Sequence, residues 1–347
     1  MLNQPIRIAI NGFGRIGRCV LRAIYEHRLN HRFEVVLINE PACIETIAHL
    51  TRFDSTHGAF PGRVEFDEQH LYINGHPILV CHQTTPQEVP WADYELDILL
   101  ECSGAYGKRA EIQAFIDAGC PRVLLSNPGA GADEVDYTVV LGINDQGLNG
   151  RQTIVSNASC TTNAIIPVLA ELEQHFGIDS VFLTTLHSVM NDQPMIDGYH
   201  HADLRRTRSA LQSMVPVSTG LARGVERLLP GLKNKVTAKA VRVPILNVSA
   251  IDLIAQLQGH PSTEALNAVF VAAANKNPHI MAYSELPHAS IDFNHDSHSV
   301  IIDGSQTHAN ESGLVNVFVW FDNEWAFSNR MLDICQIWAR QFTKNSD

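Results

Sequence analysis

The sequence predicts an α/β chain of two domains: a doubly wound parallel sheet, then an α+β domain on a mostly antiparallel sheet. Three observations predict it. The chain has 347 residues, of which 45% are apolar and only 18% charged, enough for two substantial cores. Its first half alternates short apolar runs with helical stretches, the rhythm of a parallel sheet covered by helices. After Cys160 the rhythm changes to one helix followed by longer alternating runs, which suits strands with one solvated face. No repeat, low-complexity tract or Pro/Ser-rich linker marks a boundary, so the element pattern places one domain over 1–159 and the other over 160–322.

In chain order, Ile6–Asn11, Val35–Asn39, Asp97–Cys102, Arg122–Ser126 and Tyr137–Leu141 read as strands of the first domain. Ile165, Ile166, Leu169, Leu172 and Phe176 share one face of a helix opening near Cys160; Pro167 inside it predicts a bend or a boundary adjustment. Asn247–Leu257 and Leu314–Phe321 alternate as half-exposed strands. From Asn323 to Phe342, apolar residues including Trp325, Met331, Leu332, Cys335 and Trp338 fall at mostly helical spacing, so an amphipathic helix closes the chain.

Composition excludes several classes. The net charge of −12, from 25 Lys plus Arg against 37 Asp plus Glu, disfavours nucleic acid and anionic membrane as partners. No run approaches the roughly 20 apolar residues of a membrane span, and residues 1–11 lack the pattern of a signal peptide, so a cytoplasmic location is expected. The seven cysteines are scattered without a CxxC pair, which predicts reduced thiols rather than a metal or disulfide framework. An anionic substrate must therefore be held locally, and Arg205, Arg206 and Arg208 form the obvious cation cluster. Taken alone, such a cluster equally suits a solvated face or subunit salt bridges.

The strand Ile6–Asn11 runs straight into Gly12-Phe13-Gly14-Arg15-Ile16-Gly17 and then into a helix with Val20, Ala23 and Ile24 on one face. This is the order of the dinucleotide-binding Rossmann turn: Gly12 permits the tight bend, Gly14 lets the backbone approach a pyrophosphate, and Gly17 allows close packing of helix on strand. Glu40, closing the second strand, accepts hydrogen bonds from ribose hydroxyls and repels a 2′-phosphate, so NAD is the expected cofactor. In the bland alternative the glycines serve packing and Glu40 is a solvated strand end.

Ser156-Asn-Ala-Ser159-Cys160-Thr161-Thr-Asn163 places Cys160 at a helix N-terminus, where the helix dipole and a neighbouring imidazole lower a thiol pKa and make it nucleophilic. The other six cysteines read as small buried apolar residues. His187, at the end of the alternating run Ser180–His187, is a candidate base among 17 histidines.

Asn11–Arg18, Ser156–Asn163, Arg242-Val-Pro244 and Trp320–Trp325 together resemble the glyceraldehyde-3-phosphate dehydrogenase superfamily over nearly the whole chain. The resemblance implies that Cys160 is the nucleophile and His187 its base. It implies cofactor contacts at Phe13, Arg15, Ile16 and Ser126, with Asn323 on the nicotinamide amide. It also implies anion binding by Ser159, Thr161, Arg206, Thr219, Gly220 and Arg242, no metal, and a closing helix 323–347 returned to the first domain. A phosphorylated sugar aldehyde is the implied substrate and a homotetramer the implied assembly, with the loop Asn191–Arg208 reaching a neighbour's cofactor.

Within the superfamily, Met190 stands where the glycolytic branch usually carries a phosphate-binding Thr, Glu40 replaces an Asp, and Ser290–Ser299 resembles the branch acting on D-erythrose 4-phosphate. That branch is associated with pyridoxal 5′-phosphate synthesis. Against it, Ser218-Thr-Gly220 resembles the glycolytic pattern, and Thr84 stands where both branches often place a cofactor-contacting Arg. Phosphorylating oxidation of glyceraldehyde 3-phosphate is the alternative. Two other classes remain: a non-catalytic NAD-binding regulator, and a metal-dependent hydrolase using His295 and His298 with Asp292 and Asp296.

Overall fold

A computed structural model describes residues 4–200 and 203–343; the ends of the predicted domains and two residues of the Asn191–Arg208 loop lie outside them. The described chain separates into two compact units, one running to Ser159 and resumed from Phe327, the other Cys160–Ala326.

In the first unit the strand order is Tyr137–Thr138, Ile154–Ser156, Val123–Leu125, Ile98–Glu101, Ile6–Asn11, Phe33–Asn39, His76–Cys81, His70–Ile73, Val64–Phe66. Its central strands are continuous apolar runs with Ile8, Ile10, Leu99, Leu100 and Leu124 fully buried, as a parallel sheet covered on both faces requires. Asn11 pairs in parallel register with Asn39 on one side and Glu101 on the other, so three polar strand ends meet where the strand order turns. Asn39 Nδ2 donates to Asn11 Oδ1 at 2.8 Å, and Asn11 Nδ2 donates to Glu101 Oε1 at 3.2 Å. Burial raises the Glu101 carboxyl, against the bonds from Ser103 and Asn11.

Two elements of this sheet differ most from expectation. The fifth strand stops at Thr138 rather than Leu141, because Asn144 takes the backbone: its Nδ2 donates to Thr138 O at 2.9 Å and its Oδ1 accepts from Val140 N–H at 2.8 Å. The antiparallel edge His70–Ile73 and His76–Cys81 went unread, although it turns on Asn74-Gly75 with φ of 52° and 86°, the Asn-Gly signal of a tight hairpin.

The closing helix is Trp325–Thr343. It begins two residues later than predicted because Asp322 Oδ1 accepts the N–H groups of Glu324 at 2.9 Å and Trp325 at 2.8 Å, acting as its cap. From Phe327 onward it belongs to the first unit, where Met331, Ile334, Cys335 and Trp338 are fully buried and Trp338 Nε1 donates to Asn149 O at 3.1 Å.

In the second unit the order is Val215–Val217, Val236–Arg242, Ile178–His187, Ser249–Leu257, Leu314–Phe321, Val300–Ala309, Met281–Ser284. The sheet is mostly antiparallel, but Val236–Arg242 runs parallel to Ile178–His187 and Met281–Ser284 runs parallel to Val300–Ala309. The helix Cys160–Phe176 is continuous through Pro167, and Ile165, Ile166, Leu169 and Leu172 are fully buried. No helix among the described residues is long and apolar enough to cross a membrane.

Candidate active site

The first unit carries a glycine turn. Gly12 has φ +84°, and a Cβ there would meet Ser103 N at 2.4 Å; a Cβ on Gly17 would meet Gly12 O at the same distance. Gly14 is different, since a Cβ on it would meet nothing within 4 Å. It is also the N-cap of helix Arg15–Glu26, and its lack of a side chain leaves the first turn without a side-chain cap. An open approach to a helix N-terminus fits a dinucleotide pyrophosphate. Glu40 Oε2 accepts from Phe13 N–H at 2.8 Å, tying the acidic strand end to the glycine turn.

Arg15 is not free to reach outward. Its guanidinium forms a two-pronged pair with Asp54 at 2.5 and 3.0 Å. Burial works to raise the Asp54 carboxyl, but Arg15 and the N–H groups of His57 and Thr56 outweigh it and hold it well below the usual range. Ser126 lies just past Val123–Leu125 and donates its N–H to Glu101 O at 2.9 Å.

The second unit carries the thiol. Cys160 is the first residue of its helix, entered through Ala158 at φ +56°; Ala158 N–H donates to Ser156 Oγ at 3.0 Å. Sγ lies 3.6 Å from His187 Nε2 and 3.9 Å from Thr161 Oγ1. His187 ends its strand and is buried, with the Phe321 ring edge-on at 6.4 Å. Its Nδ1 lies 2.8 Å from Ser188 O and 2.6 Å from Arg242 Nη1. The parallel register brings His187 and Arg242 opposite one another.

The electrostatics correct one expectation. Burial pushes the Cys160 thiol up, against the lowering influence of Thr161 and Arg242. Burial, and then Arg242, hold His187 down at about 4. In this arrangement the pair is thus a neutral thiol beside a neutral imidazole, because an ion pair must overcome desolvation and a neighbouring cation.

Asn323 Oδ1 accepts from Ser188 Oγ at 2.9 Å and Ser249 Oγ at 2.8 Å, and Ser188 N–H donates to Ser249 Oγ at 3.1 Å. Asn323 therefore lies in the second unit, with its amide held by two buried hydroxyls on its oxygen side.

The arginine cluster does not act as one cradle. Arg206 Nη1 pairs with Asp192 at 2.7 Å, Arg208 pairs with Asp197 at 3.0 Å, and Arg205 is exposed. Arg205 and Arg206 lie within the 3₁₀ turn Leu204–Thr207, whereas Arg208 is the residue that ends it. Of the three, Arg206 is the one that acts on Arg242. Thr219 and Gly220 are exposed at the start of helix Leu221–Leu228; a Cβ on its Gly224 would lie 3.4 Å from Thr162 Oγ1 of the Cys160 helix.

The candidate metal residues serve other ends. The His295 ring stacks on Trp325 at 3.6 Å, and His298 Nδ1 lies 2.6 Å from Asp296 Oδ1.

Asp54, Asp192, Ser188 and Ser249 escaped the sequence reading. Ser188 and Asp192 flank the base within five residues, a findable signal, whereas Asp54 and Ser249 reach the site only through tertiary pairing.

A thiol beside an imidazole, with the Arg242 guanidinium against that imidazole, can add to a carbonyl carbon and hold an anionic substrate. Residues 159–323 match the family model described as glyceraldehyde 3-phosphate dehydrogenase, C-terminal domain, and residues 6–109 match that described as glyceraldehyde 3-phosphate dehydrogenase, NAD binding domain. The chain belongs to the glyceraldehyde-3-phosphate dehydrogenase superfamily and is an NAD-dependent dehydrogenase acting on aldehydes.

Proposed function

We propose that the protein oxidises D-erythrose 4-phosphate to 4-phosphoerythronate, through a thiohemiacetal and then a thioester on Cys160. The observation that carries the covalent route is the 3.6 Å approach of Cys160 Sγ to His187 Nε2 at a helix N-terminus. Cys160 attacks the aldehyde carbon as His187 takes the thiol proton and returns it to the oxyanion; His187 then accepts the thiohemiacetal hydroxyl proton as hydride leaves the carbon, and water cleaves the resulting thioester, returning the proton to the Cys160 sulfur. The Cys160 backbone N–H and His187 stabilise the oxyanion. Arg242 and Arg206, with Ser159, Thr161, Thr219 and Gly220, hold the phosphorylated end of the substrate. Gly12–Gly17, Glu40, Ser126 and Asn323 hold NAD, which when bound supplies the hydride acceptor.

The choice of aldehyde is supported by Met190, which is exposed three residues after the base and whose thioether cannot donate a hydrogen bond to a phosphate placed for a three-carbon substrate. Glu40 and the segment Ser290–Ser299 support the same branch, whose place in metabolism would be pyridoxal 5′-phosphate synthesis. The rival substrate is glyceraldehyde 3-phosphate with inorganic phosphate as acyl acceptor, favoured by Ser218-Thr-Gly220. Steady-state kinetics on both aldehydes, with and without phosphate, separate them. Erythrose 4-phosphate is expected to give the higher kcat/KM with little need for phosphate; the reverse preference overturns the substrate assignment.

A homotetramer is proposed with the catalytic reading, supported by the exposed apolar side chains Met195, Ile196, Tyr199, Leu204 and Met214, which fall within twenty residues of one another in the chain. Glu40 sets cofactor choice in the same proposal. Replacing it by alanine is expected to narrow the gap between the KM values for NADP and NAD at least about ten-fold, about 1.4 kcal/mol of lost discrimination. An unchanged ratio would show that the carboxylate does not meet the adenosine ribose.

A further inference from the structure

We propose that Arg242 is a positioning residue that holds His187 in the tautomer unable to accept the Cys160 proton, and that an anion drawing the guanidinium away releases the base. The proposal rests on the reading of Cys160 as nucleophile and His187 as base given above.

One nitrogen of His187 meets two incompatible partners. His187 Nδ1 faces the Ser188 carbonyl at 2.8 Å, which can only accept, and Arg242 Nη1 at 2.6 Å, which can only donate. A hydrogen on Nδ1 suits the carbonyl and collides with the guanidinium; a lone pair there does the reverse. The neutral ring carries one hydrogen, so the state of Nδ1 decides that of Nε2. With Arg242 in place, Nδ1 accepts, Nε2 carries the hydrogen, and the face 3.6 Å from Cys160 Sγ has no lone pair for the thiol proton.

Withdrawal of the guanidinium reverses this. The ring hydrogen moves to Nδ1 and donates to Ser188 O, leaving the Nε2 lone pair toward the thiol. The S–H bond of Cys160 then breaks and an Nε2–H bond forms, giving thiolate and imidazolium with one proton transferred and no other reactant. The imidazolium is held at Nδ1 by the carbonyl that was waiting for it.

The surrounding charges are few. Arg242, Asp192 and Glu324 act on His187; Arg242 and the Thr161 hydroxyl act on Cys160; Asp192 and Arg206 act on Arg242. Asp192 is already paired with Arg206 at 2.7 Å. An incoming dianion is the natural competitor for Arg242, so binding of the substrate's charged end and activation of the nucleophile become one event.

A simpler role for Arg242, favouring the thiolate by charge alone, predicts the opposite sign, and this makes the test sharp. The rate of iodoacetamide labelling at Cys160, identified by peptide mass spectrometry, is measured against pH on the full chain. Wild type, Arg242→Met, Arg242→Lys, His187→Asn and the His187→Asn/Arg242→Met double variant are compared, each with and without inorganic phosphate at a concentration shown by calorimetry to bind wild type. The expected result is an acid shift of the labelling limb in Arg242→Met of at least about one pH unit, hence at least about ten-fold faster labelling on the rising limb. Phosphate is expected to shift wild type the same way, leave Arg242→Met unmoved, and have no such effect once His187 is replaced. Arg242→Lys, which keeps the charge, is expected to label between wild type and Arg242→Met. An alkaline shift in Arg242→Met, or phosphate that binds wild type without moving the limb, overturns the proposal and leaves the catalytic reading standing. Labelling of a different cysteine, or identical profiles in wild type and His187→Asn when both are saturated with phosphate, overturns both.

Discussion

Replacing Cys160 by serine is expected to lower turnover by at least about a thousand-fold while NAD binding stays near wild type. The hydroxyl of serine ionises far above the range of a thiol, and the residue that would deprotonate it, His187, is itself held down at about 4 by burial and Arg242. A base so weakened cannot make an alkoxide at neutral pH. The thioester intermediate is lost with the sulfur. The dinucleotide turn belongs to the other compact unit, so its affinity is expected to survive. The measurement is NADH formation by absorbance with NAD titrated separately by fluorescence. Turnover within ten-fold of wild type would refute the covalent route, and loss of both activities would trace to folding instead. His187→Asn is expected to cost about 10²–10⁴ in kcat, the usual range for a positioned base, and the double replacement little more than Cys160→Ser alone, because the two act on one proton.

The residues of the site are legible in the sequence to different depths. Gly12, Gly14 and Gly17 were readable by spacing, since a turn between strand and helix is local chemistry, and the turn has the tight bend and open middle that its pattern demands. The strands Ile6–Asn11 and Leu314–Phe321 were likewise local, set by apolar periodicity. The antiparallel hairpin was equally local and still went unread, because its strands are short and half exposed and only Asn74-Gly75 announces it. His187 could be singled out from 17 histidines only through resemblance. What makes it distinctive is its register opposite Arg242, a parallel pairing between residues 55 apart in the chain that no periodicity encodes. The same limit hid the Asp54 grip on Arg15 and the two hydroxyls on Asn323. The sign of the Cys160 shift was misjudged for a related reason: the helix dipole is visible in sequence, but the cost of burying the thiol depends on neighbours contributed from elsewhere in the chain.

The glycine turn offers a paired prediction in which the same substitution at two positions of one turn should do different things. Gly12→Ala is expected to destabilise the protein by about 2–5 kcal/mol, combining about 1–2 for an alanine in left-handed backbone with about 1–3 for a forced contact. The forced contact is with main chain, Ser103 N at 2.4 Å and Ser103 Cα at 2.5 Å, so no side-chain rotation relieves it. Gly14→Ala has a φ of −73° and nothing within 4 Å of the added methyl, so its stability should stay within about 0.5 kcal/mol of wild type. The space that makes it harmless to the fold is the space a pyrophosphate needs against the first turn of helix Arg15–Glu26, so NAD affinity is expected to fall by about ten-fold or more. Thermal unfolding without cofactor and calorimetric titration with NAD separate the two effects. A Gly14→Ala protein that binds NAD as tightly as wild type would remove the pyrophosphate from this turn, and a Gly12→Ala protein of unchanged stability would mean that Ser103 and the strand end behind it yield far more readily than their packing around buried Glu101 implies.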